Sequence, residues 1–123
     1  TLYLGSLPAA PNLAVLYANR GNNDQRAYDL ATQTRSSLPN DPEVARALGI
    51  LMYRRGDYTR SVQLLKESAQ KITNDAELFY YLGMSHFQLK QEPESKSALQ
   101  QALNLNLQTK LAEEARKTLA QLN

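Results

Sequence analysis

Residues 41–58 read DPEVARALGILMYRRGDY, and residues 75–92 read DAELFYYLGMSHFQLKQE. The Leu48-Gly49 pair of the first stretch returns 34 residues later as Leu82-Gly83, and the residues around each pair match in type. Pro42-Glu43-Val44-Ala45 aligns with Ala76-Glu77-Leu78-Phe79, Met52-Tyr53 with His86-Phe87, Ser61-Val62 with Ser95-Lys96, and Leu65 with Leu99. Further on, Ser68-Ala69 aligns with Ala102-Leu103 and Asn74-Asp75 with Gln108-Thr109. A weaker copy precedes these. It keeps Leu13-Ala14, Tyr17, Gly21, Ala27, Ala31, Thr34 and Pro39 in order, with one extra residue between Gly21 and Ala27. Self-similarity at a fixed period of about 20 to 50 residues signals an array of stacked units rather than a globule around one core.

Within each copy, local chemistry marks two helices. Asp41 is suited to an N-cap, Pro42 to the first helical position, where its missing N–H leaves no bond unmade, and Glu43 to the positive helix end. The helix is expected to run to about Arg55. Gly56 then supplies a left-handed terminus, and Asp57-Tyr58 begins the return helix. Asp75 repeats the capping role, with Glu77 in the first turn. The third copy has no glycine at its inner turn, so Pro93 marks the start of its second helix. Ala45, Leu48, Gly49 and Met52 form one apolar stripe, and Phe79, Leu82, Gly83 and His86 form its counterpart. Ser61, Leu65 and Ser68 are expected to face them. Each helical glycine costs about 1 kcal/mol relative to alanine, and a close-packed neighbour is the expected reason it is kept.

These residues resemble the tetratricopeptide repeat, a family of helical hairpins with a 34-residue period. The resemblance rests on Leu48-Gly49, Met52, Gly56-Asp57-Tyr58, Ser61, Leu65 and Ser68, then on Phe79, Leu82-Gly83, His86, Ser95, Leu99 and Ala102, and covers about residues 8 to 109. Lys90, Glu92 and His86 depart from the pattern, standing where a glycine, an aromatic residue and a tyrosine are usual. The resemblance implies an all-α fold, a right-handed α-solenoid of antiparallel helix hairpins with about seven helices. The expected units are residues 8–41, 42–75 and 76–109, followed by a capping helix over about 110–122. That last helix carries Leu111, Ala115, Leu119 and Leu122 on one stripe and Glu113, Glu114, Lys117 and Gln121 elsewhere, as the end of an array requires. Leu2, Tyr3, Leu4 and Leu7, ahead of Pro8 and Pro11, read either as a linker or as a cover for the first unit.

Composition narrows the function classes. The chain has 123 residues, 42% hydrophobic and 21% charged, which suits one globular domain. Fourteen Lys and Arg against twelve acidic residues leave an excess too small to argue for nucleic acid or an anionic membrane. No apolar run approaches the roughly 20 residues that cross a bilayer, so this segment reads as soluble, with cytoplasm and periplasm both open. The repeats have a bacterial look. Thr1 in place of Met suggests a segment of something longer. The chain has no cysteine, which removes disulfides and thiolate chemistry.

Nothing in the sequence supports catalysis, a metal or a cofactor. His86 is the single histidine and sits on an apolar stripe, where a packed, hydrogen-bonded role is expected. The acidic pairs Glu113-Glu114, Glu92 with Glu94, and Asp24 with Asp29 fall on faces expected to be solvated. The glycines are isolated and form no phosphate loop.

What remains is a surface on the first helices, about 100° around from the core stripe. There Arg46, Ile50 and Tyr53, with Arg54 at the edge, and Tyr80, Met84 and Phe87, flanked by Glu77 and Tyr81, are expected to line an open peptide-binding trough. Val15, Ala18 and Asn19 would line its first part. Aromatic residues dominate many binding surfaces, and Arg46 and Arg54 are placed to bond a carboxylate. A packing role beneath the neighbouring unit competes with ligand contact for Tyr53, Phe87, Tyr80 and Met84. Some members of the family hold acidic chaperone tails in a clamp of lysines, arginine and asparagines. The matching sites here carry Pro11, Val15, Ala47, Glu77 and Tyr81, which disfavours that ligand.

The leading expectation is therefore a non-catalytic scaffold that holds a protein or peptide partner in its trough. A second is an array docked on more of its own chain, within a larger enzyme or assembly factor. A third, disfavoured by the charge balance, is an RNA-binding repeat, hinted at by the 35-residue spacing from Gly21 to Gly56.

Overall fold

In the computed structural model, residues 24–122 are described, and they fold into six helices. These are α1 (Asp24–Ser37), α2 (Pro42–Arg54), α3 (Tyr58–Ala69), α4 (Ala76–Gln88), α5 (Glu92–Asn104) and α6 (Thr109–Leu122). The starts of α2 and α4, and of α3 and α5, are each 34 residues apart. The architecture is a right-handed α-solenoid of antiparallel hairpins. The expected first helix of the first unit, with Val15, Ala18, Asn19 and the apolar start, lies outside the described residues.

The helix ends form as their residues dictate. The Asp41 carboxylate accepts hydrogen bonds from the amides of Glu43 and Val44, Asp57 from that of Arg60, and Asp75 from that of Leu78. Each bond satisfies an amide that the helix itself leaves without a partner. Helix α2 stops at Arg54, and Gly56 takes φ 85° in the turn. The amides of Gly56 and Asp57 donate back to the carbonyls of Tyr53 and Met52 at 3.0 and 2.9 Å. Lys90, which replaces that glycine in the next hairpin, adopts φ 63° and closes the same turn, its amide and that of Gln91 donating to Phe87 and His86 at 3.0 and 2.9 Å. The turn is as tight as the glycine turn, at the steric cost of a side chain in the left-handed region.

Close approach within each hairpin explains the helical glycines. A Cβ on Gly49 would stand 2.7 Å from Leu65 Cδ2, and one on Gly83 would stand 2.7 Å from Leu99 Cδ2 and 3.1 Å from the Leu99 backbone nitrogen. The second helix also bonds to the first at these points. Ser61 Oγ donates to the Gly49 carbonyl and Ser95 Oγ to the Gly83 carbonyl, both at 2.8 Å. Ser68 Oγ donates to the Pro42 carbonyl at 2.8 Å. Hairpins are then tied to one another, by Ser85 Oγ donating to Ser61 Oγ at 2.9 Å and by a two-pronged Arg35–Glu67 pair at 2.7 and 2.8 Å.

The apolar interior is a row of clusters rather than one core. Ala27 and Ala31 of α1 pack with Ala47, Leu48, Leu51 and Met52 of α2. Ile50, Leu65, Leu78, Leu82 and Ala98 form the next cluster, and Tyr80, Met84, Leu99, Ala102 and Ala115 the last. Each hairpin therefore buries its faces against its neighbours, as a quasi-one-dimensional array must. Helix α6 continues the register: Thr118 lies 34 residues after Met84 and donates its hydroxyl to the Met84 sulfur at 3.5 Å. Its most buried residues are the small ones, Ala112, Ala115 and Thr118, with Leu111, Leu119 and Leu122 at the flanks of the contact. Where Leu82-Gly83 would recur, α6 carries exposed Arg116 and Lys117, so no further helix can approach there as α5 approaches α4.

Two substitutions should move stability in opposite directions in urea denaturation. Gly83→Ala gains about 1 kcal/mol of helix propensity but must displace α5, and a net loss of about 1–3 kcal/mol is expected. Lys90→Gly relieves the left-handed penalty, less the extra freedom of glycine in the unfolded chain, and should gain about 1 kcal/mol.

Candidate functional site

The first helices α2 and α4, together with α6, present one side of the array, and nine residues were expected to line it. Four of them are buried. Arg46 is 6% exposed, Ile50 0%, Tyr80 5% and Met84 8%. The expectation that these four line an open trough is corrected, because the next first helix in register covers them. Helix α4 lies over the Ile50 level of α2, and α6 lies over the Tyr80 and Met84 level of α4. Residues at that register are floor wherever another helix follows.

Arg46 is also engaged by its own chain. Its Nε donates to Asp75 Oδ2 at 2.6 Å and its Nη2 to Glu77 Oε1 at 2.8 Å, while Asp75 caps α4 with its other oxygen. Burial alone would lower the Arg46 pKa, but the bonds and charges of Asp75 and Glu77 outweigh it and raise it. The guanidinium expected to meet a ligand carboxylate instead joins α2 to the start of α4. Arg54 is half-buried, and its Nη1 is shielded from solvent without a hydrogen-bond partner. Glu77, Tyr53, Tyr81 and Phe87 are half-buried as well.

Three of these tyrosines, with Tyr58 added, form a continuous ladder. Tyr58 meets Tyr53 edge to face with ring centroids 5.5 Å apart, Tyr53 meets Tyr81 at 5.3 Å, and Tyr81 meets Tyr80 at 5.1 Å. Such tilted contacts suit the ring quadrupoles and lock each ring against the next. Burial raises the Tyr80 hydroxyl pKa strongly and that of Tyr53 less so, and the neighbouring phenols and the Glu114 carboxylate push both the same way. The sequence reading missed Tyr58 and Glu114. Tyr58 follows the Gly56 turn, which folds it back onto Tyr53. Glu114 stands 34 residues after Tyr80 and so shares its face of the array.

Beside the ladder, where the first helices begin, lies a hollow of about 440 Å³. Glu43, Asp75, Glu77, Asn106, Ile72 and Leu111 contribute to its wall, and neither lysine nor arginine does. A second hollow, of about 390 Å³, opens between α3 and α5 over Phe79, Leu82 and His86. His86 is 6% exposed with Nδ1 2.7 Å from Gln91 Oε1, a packed and hydrogen-bonded histidine as expected. Among the described residues no helix is long and apolar enough to cross a membrane.

Stacked hairpins with a shared lateral surface define a helical-repeat protein. No family model matches the chain. It is similar to interferon-induced protein with tetratricopeptide repeats 2 from Cricetulus griseus, 27% identical over 78 residues, which is 62% of this chain and 17% of that one. Among solved structures it resembles a point mutant of MamA, with a TM-score of 0.76 and 22% identity over 94% of this chain and 65% of the other. MamA MSR-1 is similar, with a TM-score of 0.75 and 19% identity over 94% of this chain and 64% of the other. The chain thus spans less than two thirds of the length of each. It is an array of tetratricopeptide-type repeats.

The ladder has a titration consequence. Phenols held neutral by the fold add stability that is complete below the unfolded tyrosine pKa of about 10 and lost as pH rises past it. In an alkaline titration, part of the phenolate absorbance should appear near pH ~10 and the rest only together with loss of helical circular dichroism. A single phase with the helices intact would contradict the buried ladder.

Proposed function

We propose that this array is a non-catalytic scaffold holding a segment of a partner protein along the first-helix side. The observation that carries the reading is the ladder of half-buried tyrosines, Tyr53, Tyr58 and Tyr81, beside an open hollow. Tyrosines in this setting offer a large, rigid, amphipathic contact at low entropic cost, the property that concentrates binding energy in a few residues. Arg54, Glu77 and Phe87, half-buried around the ladder, complete the proposed contact surface. Tyr80, Met84, Ile50 and Arg46 act beneath it, fixing the rings and the spacing of the helices. Single units of residues 42–75 and 76–109 are the stacking modules of this reading, and α6 closes its far end. The kind of fold agrees with a binding role, and the partner's identity is outside what fold and likeness convey.

Docking on another part of a longer chain is the same chemistry with the partner joined covalently. It requires no different residues.

Phage display on the immobilised chain provides the test. Peptides selected by the array should lose about 10-fold or more in affinity when Tyr53→Ala and Tyr81→Ala are combined, with circular dichroism unchanged. Selected peptides whose affinity ignores that pair would place binding elsewhere and end this reading.

A further inference from the structure

Resting on the groove reading above, we propose that the surface selects a partner segment through a lysine or arginine side chain laid across Tyr53 and Tyr81, with its charge directed to Glu114. Three independent features converge on a cation.

The ladder presents aromatic rings, whose faces are negative and attract ammonium and guanidinium groups, most strongly where water is thinned out. Rings fixed by edge-to-face contacts at 5.3 and 5.1 Å need no reordering to receive one. Among the described residues the one cation seated over a ring is Arg55 on Tyr28, on the α1 side of the array and away from the ladder.

The second feature is Glu114. Its carboxylate is exposed, acts on the hydroxyls of both Tyr53 and Tyr80, and is met only by Lys117 at 3.7 Å, with both side chains largely in water. A pair of that kind is weak and yields readily to a better-placed cation. A carboxylate beside tyrosine faces is the arrangement that holds an alkylammonium group. A carboxylate of a partner would be repelled there.

The third is the sign of the adjoining hollow. Glu77 lies three and four residues before Tyr80 and Tyr81, and Leu111 lies three before Glu114, so the hollow and the ladder are successive turns of the same two helices. Its wall carries Glu43, Asp75 and Glu77 with no basic side chain, and Arg46 beneath offsets only part of that charge. Arg54 stands seven residues from Ala47, two helical turns, on the side of α2 that packs toward α1. A basic segment running from hollow to ladder thus meets one sign of charge throughout, although the chain as a whole carries a net charge of +2. Local field, not net charge, decides which partner is drawn in.

The test uses three fluorescein-labelled peptides that share a leucine and glycine framework and differ only in carrying lysine, glutamine or glutamate at alternate positions. In anisotropy titrations against the full chain, the lysine peptide should bind roughly 3- to 30-fold tighter than the glutamine peptide, and the glutamate peptide weakest. Glu114→Gln should shrink the lysine–glutamine gap while leaving the glutamine peptide's affinity unchanged, which a merely structural role for Glu114 would not produce. A gap that persists in Glu114→Gln, or equal affinity for lysine and glutamine peptides, overturns the cation selection. If all three bind equally and Tyr53→Ala with Tyr81→Ala removes them all, the groove stands and only its charge preference falls. If none binds, the selection is likewise wrong, and the display experiment above decides the groove separately.

Discussion

The approach of two helices at a glycine is the constraint on which the rest of this structure depends. At Gly49 and Gly83 the first helix of a hairpin has no side chain, the second helix lays Leu65 or Leu99 into that gap, and Ser61 or Ser95 bonds the glycine carbonyl. The glycine sacrifices helix propensity, which the tight leucine contact and the hydrogen bond offset. Because the hairpin closes this tightly, its outer faces are set at fixed positions, and the next hairpin meets them with the same geometry. Ser61 serves both levels at once, donating to Gly49 and accepting from Ser85 of the following hairpin.

Stacking with a constant register has a consequence for the surface. A first-helix residue such as Ile50 or Met84 is covered as soon as another helix follows it, whatever its chemistry. Arg46 shows how strongly this acts. A buried guanidinium is tolerable only with good partners, and the array supplies two carboxylates from the start of the next first helix. Binding capacity therefore moves to residues at the seams between units, where Tyr53 and Tyr58 of one hairpin meet Tyr81 of the next. The seam is also where α6 contributes Glu114, so the last helix both closes the apolar end and completes the electrostatics of the proposed site.

Substitutions away from the family pattern are absorbed locally. Lys90 takes the left-handed conformation that Gly56 takes in the preceding hairpin, because the two return bonds to Phe87 and His86 compensate the steric cost. His86, in place of a tyrosine, keeps its burial by pairing with Gln91. Neither alters the path of the chain.

The repeat length, the caps at Asp41 and Asp75, the start near Pro93 and the pairing of Gly49 with Ser61 and Leu65 were all legible in the residues, because each follows from interactions a few residues apart or from a 34-residue periodicity. Exposure was not. Helical spacing identifies which residues share a face, but whether that face meets water or a neighbour depends on the next helix in the stack. Tyr80 and Met84 were thus placed on the correct side and at the wrong depth. The sequence by itself determined the array, its register and its helix ends; only the tertiary structure decided that Arg46 is committed to Asp75 and Glu77, that four tyrosines from three helices form one ladder, and that Glu114 stands beside it, since those contacts join residues whose separation in the chain carries no local signal.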